Sequence, residues 1–275
     1  GGFFASYPEQ VIGTILPMIS ATVELYNSIR NSLLPTPSRS HYAFNMRDIS
    51  KVFQGVLGAD MRSVSTNVQA VRLWVHEVTR VFHDRLINED DRRWYYGECA
   101  GLVFKHFRLG GKGWTKDDLF YHESDSDEDF LAMKKGLLDP NAPKTHSRAK
   151  PLIWVDFLHP GVAIEERVYE EAKGWQSVVN LLSDYQEEYN AVNSRQLNLV
   201  FFNDAVRHVV RICRVLSQPR GSLMLIGVGG SGRSSLTRLC CSIMGYDMET
   251  PEMVNNYALS NFQDDLKRVI VKTGV

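Results

Sequence analysis

Leu223-Met224-Leu225-Ile226 followed by Gly227-Val228-Gly229-Gly230-Ser231-Gly232-Arg233-Ser234-Ser235 decides the reading of this chain. Four apolar residues bounded by glycine read as a short strand buried on both faces. The glycine-rich stretch matches the phosphate-loop pattern G-x-x-x-x-G-K-[ST] at every fixed position except one, where Arg233 replaces Lys. Glycines let a backbone curl around phosphates and turn its N–H groups inward. Leu236, Leu239, Cys240 and Ile243 then recur at helical spacing, so strand, loop and helix stand in the order a phosphate site requires. Ser234 supplies a hydroxyl for Mg²⁺. Arg233 keeps the positive charge as a planar fork instead of a compact ammonium, which favours retention of nucleotide over hydrolysis. A glycine turn with no ligand is the alternative.

Rapid hydrolysis also needs an acidic residue after the loop helix. Asp264 and Asp265 are the candidates, but no apolar run precedes them, and they read as a solvated helix N-terminus. The chain thus lacks a complete hydrolytic site.

Upstream of residue 109 the periodicity is helical. Residues 8–34 carry apolar residues at three- and four-residue steps, with Pro17 expected to kink the run or divide it. Leu33-Leu34-Pro35-Thr36-Pro37 ends it. Asn45–Leu57 forms the next helix. In residues 65–87, Val68, Val71, Val75, Val78, Phe82 and Leu86 share one face, while Arg72, Glu77, Arg80 and Asp84 decorate the rest. A charged turn, Asn88 to Arg93, leads into a helix over Trp94–Phe107.

Residues 109–150 read as a polar loop whose acidic run contains Glu123, Asp125, Asp127, Glu128 and Asp129. Asp125, Asp127 and Asp129 alternate as in a calcium loop, but Phe130 stands where glycine is required, so a plain acidic loop is the reading. Beyond it, Ile153–Phe157 is a candidate strand. Two helices follow, one with Trp175, Val178, Val179, Leu182, Tyr185 and Tyr189 on a face, the other with Phe202, Ala205, Val209, Ile212 and Leu216.

Over 275 residues, 44% are apolar and 23% charged, and 31 basic against 32 acidic residues leave a net charge of -1. That balance gives no electrostatic case for nucleic acid or a membrane surface, and no apolar run approaches the roughly 20 residues of a membrane span. Arg207, Arg211 and Arg214 form a basic stripe that reads as a solvated face or subunit contact. His76-Glu77 opens like a zinc motif, but Arg80 stands where the second His must be. Cys99, Cys213, Cys240 and Cys241 lack metal spacing and read as buried thiols in a reducing compartment. The ends, Gly-Gly-Phe-Phe and Thr-Gly-Val, read as those of a piece of something longer.

Two stretches resemble one family. Gly227 to Leu239, with the preceding Leu199-Val-Phe-Phe-Asn-Asp-Ala-Val-Arg-His-Val-Val-Arg-Ile-Cys-Arg-Val-Leu216, resembles the phosphate loop of the fourth AAA+ module of axonemal dynein heavy chains, where Arg in place of Lys is familiar. Leu34 to Gly55, continued by Arg72 to Leu86, resembles the lid of the third module. The resemblance implies a mostly α chain with an α/β part: a helical AAA+ lid over 1–108, a polar insert over 109–150, and over 151–275 the first strand–P-loop–helix of an AAA+ large domain. It implies ATP or ADP with Mg²⁺ as cofactor. Gly227, Gly229, Gly230, Ser231, Gly232, Arg233, Ser234 and Ser235 would lie on the phosphates, Ser234 on the metal, and Leu199 and Val200 on the adenine. Arg47 would be the sensor arginine of the third module; read from its neighbours alone, it is a helix-surface cation paired with Asp48. The implied function is that of a segment of an ATP-driven microtubule motor, in the cytoplasm and the cytoskeletal axoneme of a cilium or flagellum. Its implied partners are the other AAA+ modules of the same chain, intermediate and light chains, and microtubules through regions elsewhere. The competing reading is a purely mechanical link of the ring that binds no nucleotide.

Overall fold

The computed structural model describes residues 7–107, 152–251 and 256–274. The acidic run and its calcium-like spacing lie outside the described residues. Packing divides the chain into two units, between Leu181 and Leu182.

Among the described residues, the first unit is built on five helices: α1 (Glu9–Ile12), α2 (Ile15–Ser32), α3 (Met46–Val56), α4 (Asn67–Phe82) and α5 (Glu89–His106). The apolar run over 8–34 does divide, but at Gly13 and Thr14 instead of Pro17. Pro17 is the third residue of α2, where an amide has no acceptor within the helix and the missing N–H costs nothing. Reciprocal caps start two others. Asn45 Oδ1 accepts the Arg47 N–H while Asp48 accepts the Asn45 N–H, both at 2.9 Å. Thr66 Oγ1 and Gln69 Oε1 each accept the other's amide, at 3.2 and 3.1 Å. The charged stretch expected as a turn before Trp94 is instead the first turn of α5, where Glu89, Asp90 and Asp91 meet the positive helix end.

α2 packs on α5 and α3 on α4. The buried centre includes Leu25, Ile29, Trp74, Phe82, Tyr95 and Val103. Trp74 is 0% exposed, and its indole N–H donates to Thr22 Oγ1 at 2.8 Å, which in turn donates to Met18 O at 2.7 Å. The indole N–H of Trp74 is thus satisfied inside the core.

Glu77 departs from the expected pattern. Placed by periodicity on the solvated face of α4, it is 0% exposed. Tyr169 OH donates to its Oε1 at 2.7 Å, and Arg80 Nη2 to its Oε2 at 2.8 Å. The cover comes from a hairpin, β1 (Trp154–Val155) antiparallel to β2 (Glu170–Glu171). The strand expected over Ile153–Phe157 is therefore two residues long. Leu152, Trp154 and Tyr169 sit in the same core as the helices, so 152–172 pack with the helical unit, whereas the sequence reading groups them with the loop downstream.

All four cysteines are buried and none forms a disulfide. Burial pushes the Cys99 thiol up to about 12. In the unfolded chain the thiol ionises near 9, so between pH 9 and 12 the unfolded state holds fewer protons than the folded one. Stability from this group is full below pH 9 and falls as pH rises through that window. Urea titrations at pH 8 and pH 10.5 are expected to show this loss, and Cys99→Ala to shrink it.

The second unit contains the rest of α6 (Trp175–Val192), which begins in the first, then α7 (Asn203–Leu216), α8 (Arg233–Ile243) and α9 (Leu259–Lys272). α7 packs on α8, where Val209, Ile212, Leu239, Cys240 and Ile243 are buried and Cys240 Sγ lies 3.7 Å from Val209 O. The expected buried strand over Leu223–Ile226 is absent. Met224 is 82% and Ile226 87% exposed, and β1 with β2 is the one strand pair among the described residues. A strand exists through its ladder, and an apolar run specifies burial without supplying the neighbour that pairs with it.

Candidate functional site

The loop between Ile226 and α8 takes its shape from two glycines. Gly230 and Gly232 have φ of 78° and 80°, the left-handed region that a Cβ disfavours. The Ser231 N–H donates to Val228 O at 3.3 Å, closing a turn between them. No atom lies within 4 Å of where a Cβ would stand on Gly229, Gly230 or Gly232, so the space beside these glycines is open. At Gly227 a Cβ would meet Ser231 Oγ at 2.8 Å, so that glycine serves closeness.

Gly232 is the N-cap of α8, and the first helical bond runs from the Leu236 N–H to Gly232 O at 2.9 Å. The amides of Arg233, Ser234 and Ser235 precede it and have no acceptor within the helix. They bring the positive end of the helix dipole to the open side of the loop. Ser234 is exposed; Arg233 and Ser235 are half-buried. The Arg233 guanidinium turns back on its own loop, Nη2 donating to Val228 O at 3.3 Å. Thr237 Oγ1 donates to Arg233 O at 2.8 Å and steadies this first turn.

Leu199 and Val200 belong to the same unit. The Leu199 N–H donates to Gln186 Oε1 at 2.9 Å, and Asn190 clasps Leu197 through both its amide groups, at 2.7 and 2.8 Å. Gln186 and Asn190, two side-chain amides one turn apart on α6, position this segment; sequence reading missed them, and only their i,i+4 spacing hints at the role. Leu199 is half-buried and Val200 exposed.

Arg47 lies in the helical unit, as the second residue of α3, with its side chain exposed. It does not pair with Asp48. That carboxylate is buried and taken by the Asn45 amide, Arg85 at 3.2 Å and Lys51 at 3.6 Å. Asp264 and Asp265 sit mid-helix in α9 instead of at its start. Asp265 accepts Tyr257 OH at 2.7 Å and Arg268 at 2.9 Å, a local pairing. Among the described residues no cluster of three His, Cys, Asp or Glu could hold a metal ion, and no helix is long and apolar enough to cross a membrane.

Two family models match the chain. Residues 197–275 match the P-loop containing dynein motor region D4, and residues 18–107 match an AAA+ lid domain. The chain is 37% identical over 274 residues to human dynein axonemal heavy chain 6, covering 100% of this chain and 6% of that protein. It is 39% identical over 259 residues to mouse dynein axonemal heavy chain 1, covering 94% and 5%. With human dynein axonemal heavy chain 12 it shares 36% over 253 residues, covering 92% and 8%. The chain thus spans less than a tenth of the length of these curated relatives.

Proposed function

The chain belongs to the axonemal dynein heavy-chain family, and from that premise we propose that its Arg233 loop holds ATP or ADP with Mg²⁺ as a regulator of a microtubule motor. The observation that carries this reading is the left-handed pair Gly230 and Gly232, which sets three acceptor-free amides of α8 beside open space. An anionic phosphate fits such donors. Gly227 and Gly229 to Ser235 would line the phosphates, with the Ser234 hydroxyl on the metal ion. Leu199 and Val200 would rest against the base. Bound Mg-nucleotide supplies negative charge that the amides and Arg233 answer. The planar Arg233 fork binds phosphate well but bridges β- and γ-phosphate less well than an ammonium, which supports holding over turnover.

In this reading the helical unit is the lid of the third module, and Arg47, exposed and without a carboxylate partner among the described residues, is its sensor arginine. The segment from 197 opens the fourth module. The other modules of the heavy chain, intermediate and light chains, and microtubules reached through other regions are its partners, in the axoneme of a cilium or flagellum.

A second reading has one observation in its favour. Arg233 donates to Val228 O and so engages its own loop, as it would in a mechanical link that binds no nucleotide. Arg233→Ala separates the two. If Arg233 answers phosphate, its loss weakens Mg-ADP binding by about ten- to a hundredfold, the worth of a hydrogen bond from a charged group. If Arg233 plugs the loop, the wild-type motor domain binds nothing here and the variant binds better. Titration with a fluorescent ADP analogue reads either result.

A further inference from the structure

Residues 152–172 leave and rejoin the helical unit at nearly one point. The Ala172 N–H donates to Ile153 O at 2.9 Å, and Trp154 with Glu171 and Val155 with Glu170 complete the neck of the hairpin. While the neck is closed the segment adds almost no span; fully extended it would reach about 70 Å.

The neck is held from one helix. Arg72, His76 and Arg80 lie four residues apart on one face of α4, with Glu77 beside them. Arg72 Nε donates to Glu171 Oε2 at 3.0 Å, and His76 Nδ1 lies 2.9 Å from Leu152 O. Tyr169 OH reaches the fully buried Glu77, whose other oxygen Arg80 holds. A carboxylate buried this deeply is tolerated only while its partners stay in place. Beside these bonds is a defect. The indole N–H of Trp154, 2% exposed, has no acceptor among the described residues, so the closed hairpin carries the desolvation cost of a lone donor.

We propose that residues 152–172 are a latched slack loop, shut by Glu77 and Tyr169, that opens as a unit and lets out chain ahead of α6. Three polar ties to one helix face make closure specific. A two-pair ladder and an unsatisfied indole lower the cost of opening below that of unfolding the five helices, although opening also takes Leu152, Trp154 and Tyr169 out of their core. In a motor under load, such a loop changes the reach between flanking elements without unfolding either. The inference stands apart from the nucleotide reading, because none of its residues lies in the Arg233 loop.

Native-state hydrogen exchange on the 275-residue chain, wild type against Tyr169→Phe, tests it. The Ala172 amide is expected to exchange through an opening smaller than global unfolding, while amides of Ile29 and Val103 exchange only globally. Tyr169→Phe, which keeps the ring, is expected to speed Ala172 exchange about ten- to a hundredfold, the loss of one hydrogen bond to a charged group, and to speed Ile29 and Val103 by the same factor, because the open and the unfolded state both lack that bond. Ile29→Val, which weakens the helical core in the closed and the open state alike, is expected to speed Val103 and to leave Ala172 unchanged. Exchange of Ala172 only with the global core overturns the proposal, as does an Ala172 rate that Tyr169→Phe leaves unchanged or that Ile29→Val raises together with Val103.

Discussion

Valine in place of Gly232 is expected to abolish Mg-ADP binding at this loop while leaving the unfolding transition of the helical unit where it is. The reason lies in the backbone. Apart from its chain neighbours, no atom stands within 4 Å of a Cβ at this position, so the Cβ itself meets no clash. But φ is 80°, and a β-branched residue in the left-handed region is a true outlier, costing about 1–3 kcal/mol. The loop relieves that strain by turning the 232–233 peptide, which redirects the amides of Arg233, Ser234 and Ser235 together. Losing three charge-assisted bonds at about 1.5–3 kcal/mol each removes about 5–9 kcal/mol, most or all of the roughly 8 kcal/mol in micromolar binding. Gly229→Ala is the control. That position has open space and no left-handed φ, so binding is expected to survive with a smaller loss. Isothermal titration of an intact motor domain carrying this segment checks both.

The second large effect belongs to the helical unit. Trp74→Ala is expected to cost about 3–5 kcal/mol, the range for removing a fully buried large aromatic. Trp74 is 0% exposed and its ring stands 5.2 Å from that of Phe107, so its loss leaves a void between α4 and the end of α5. The Thr22 hydroxyl also loses the indole donor, although its own bond to Met18 O persists. Trp74→Phe keeps much of the volume and is expected to cost less than half as much. Urea unfolding followed by circular dichroism measures both; equal losses would mean that the indole bond, not the volume, carries the stability.

What could be read from the residues divides along a physical line. Helices with a clean apolar face were legible, because Val71, Val75, Val78 and Phe82 repeat at the helical period and all four are buried. The loop was legible because its glycines answer a local backbone demand, realised at Gly230 and Gly232. Features that depend on distant partners were not. Glu77 reads as solvated from its helix, yet it is buried and bonded by Tyr169, 92 residues away. Leu223 to Ile226 has the composition of a buried strand, yet no strand among the described residues pairs with it, and it forms none. Arg47 and Asp48 are neighbours in sequence, but the caps and Arg85 claim Asp48 first.

The central claim, nucleotide held at the Arg233 loop without rapid turnover, is tested most directly by titrating Mg-ADP and Mg-ATP into the intact motor domain, with phosphate release followed in parallel. The account predicts one binding event that disappears in Gly232→Val, no phosphate release attributable to that event, and release appearing with Arg233→Lys. Identical titrations for wild type and Gly232→Val would contradict it, and would leave this segment a mechanical link.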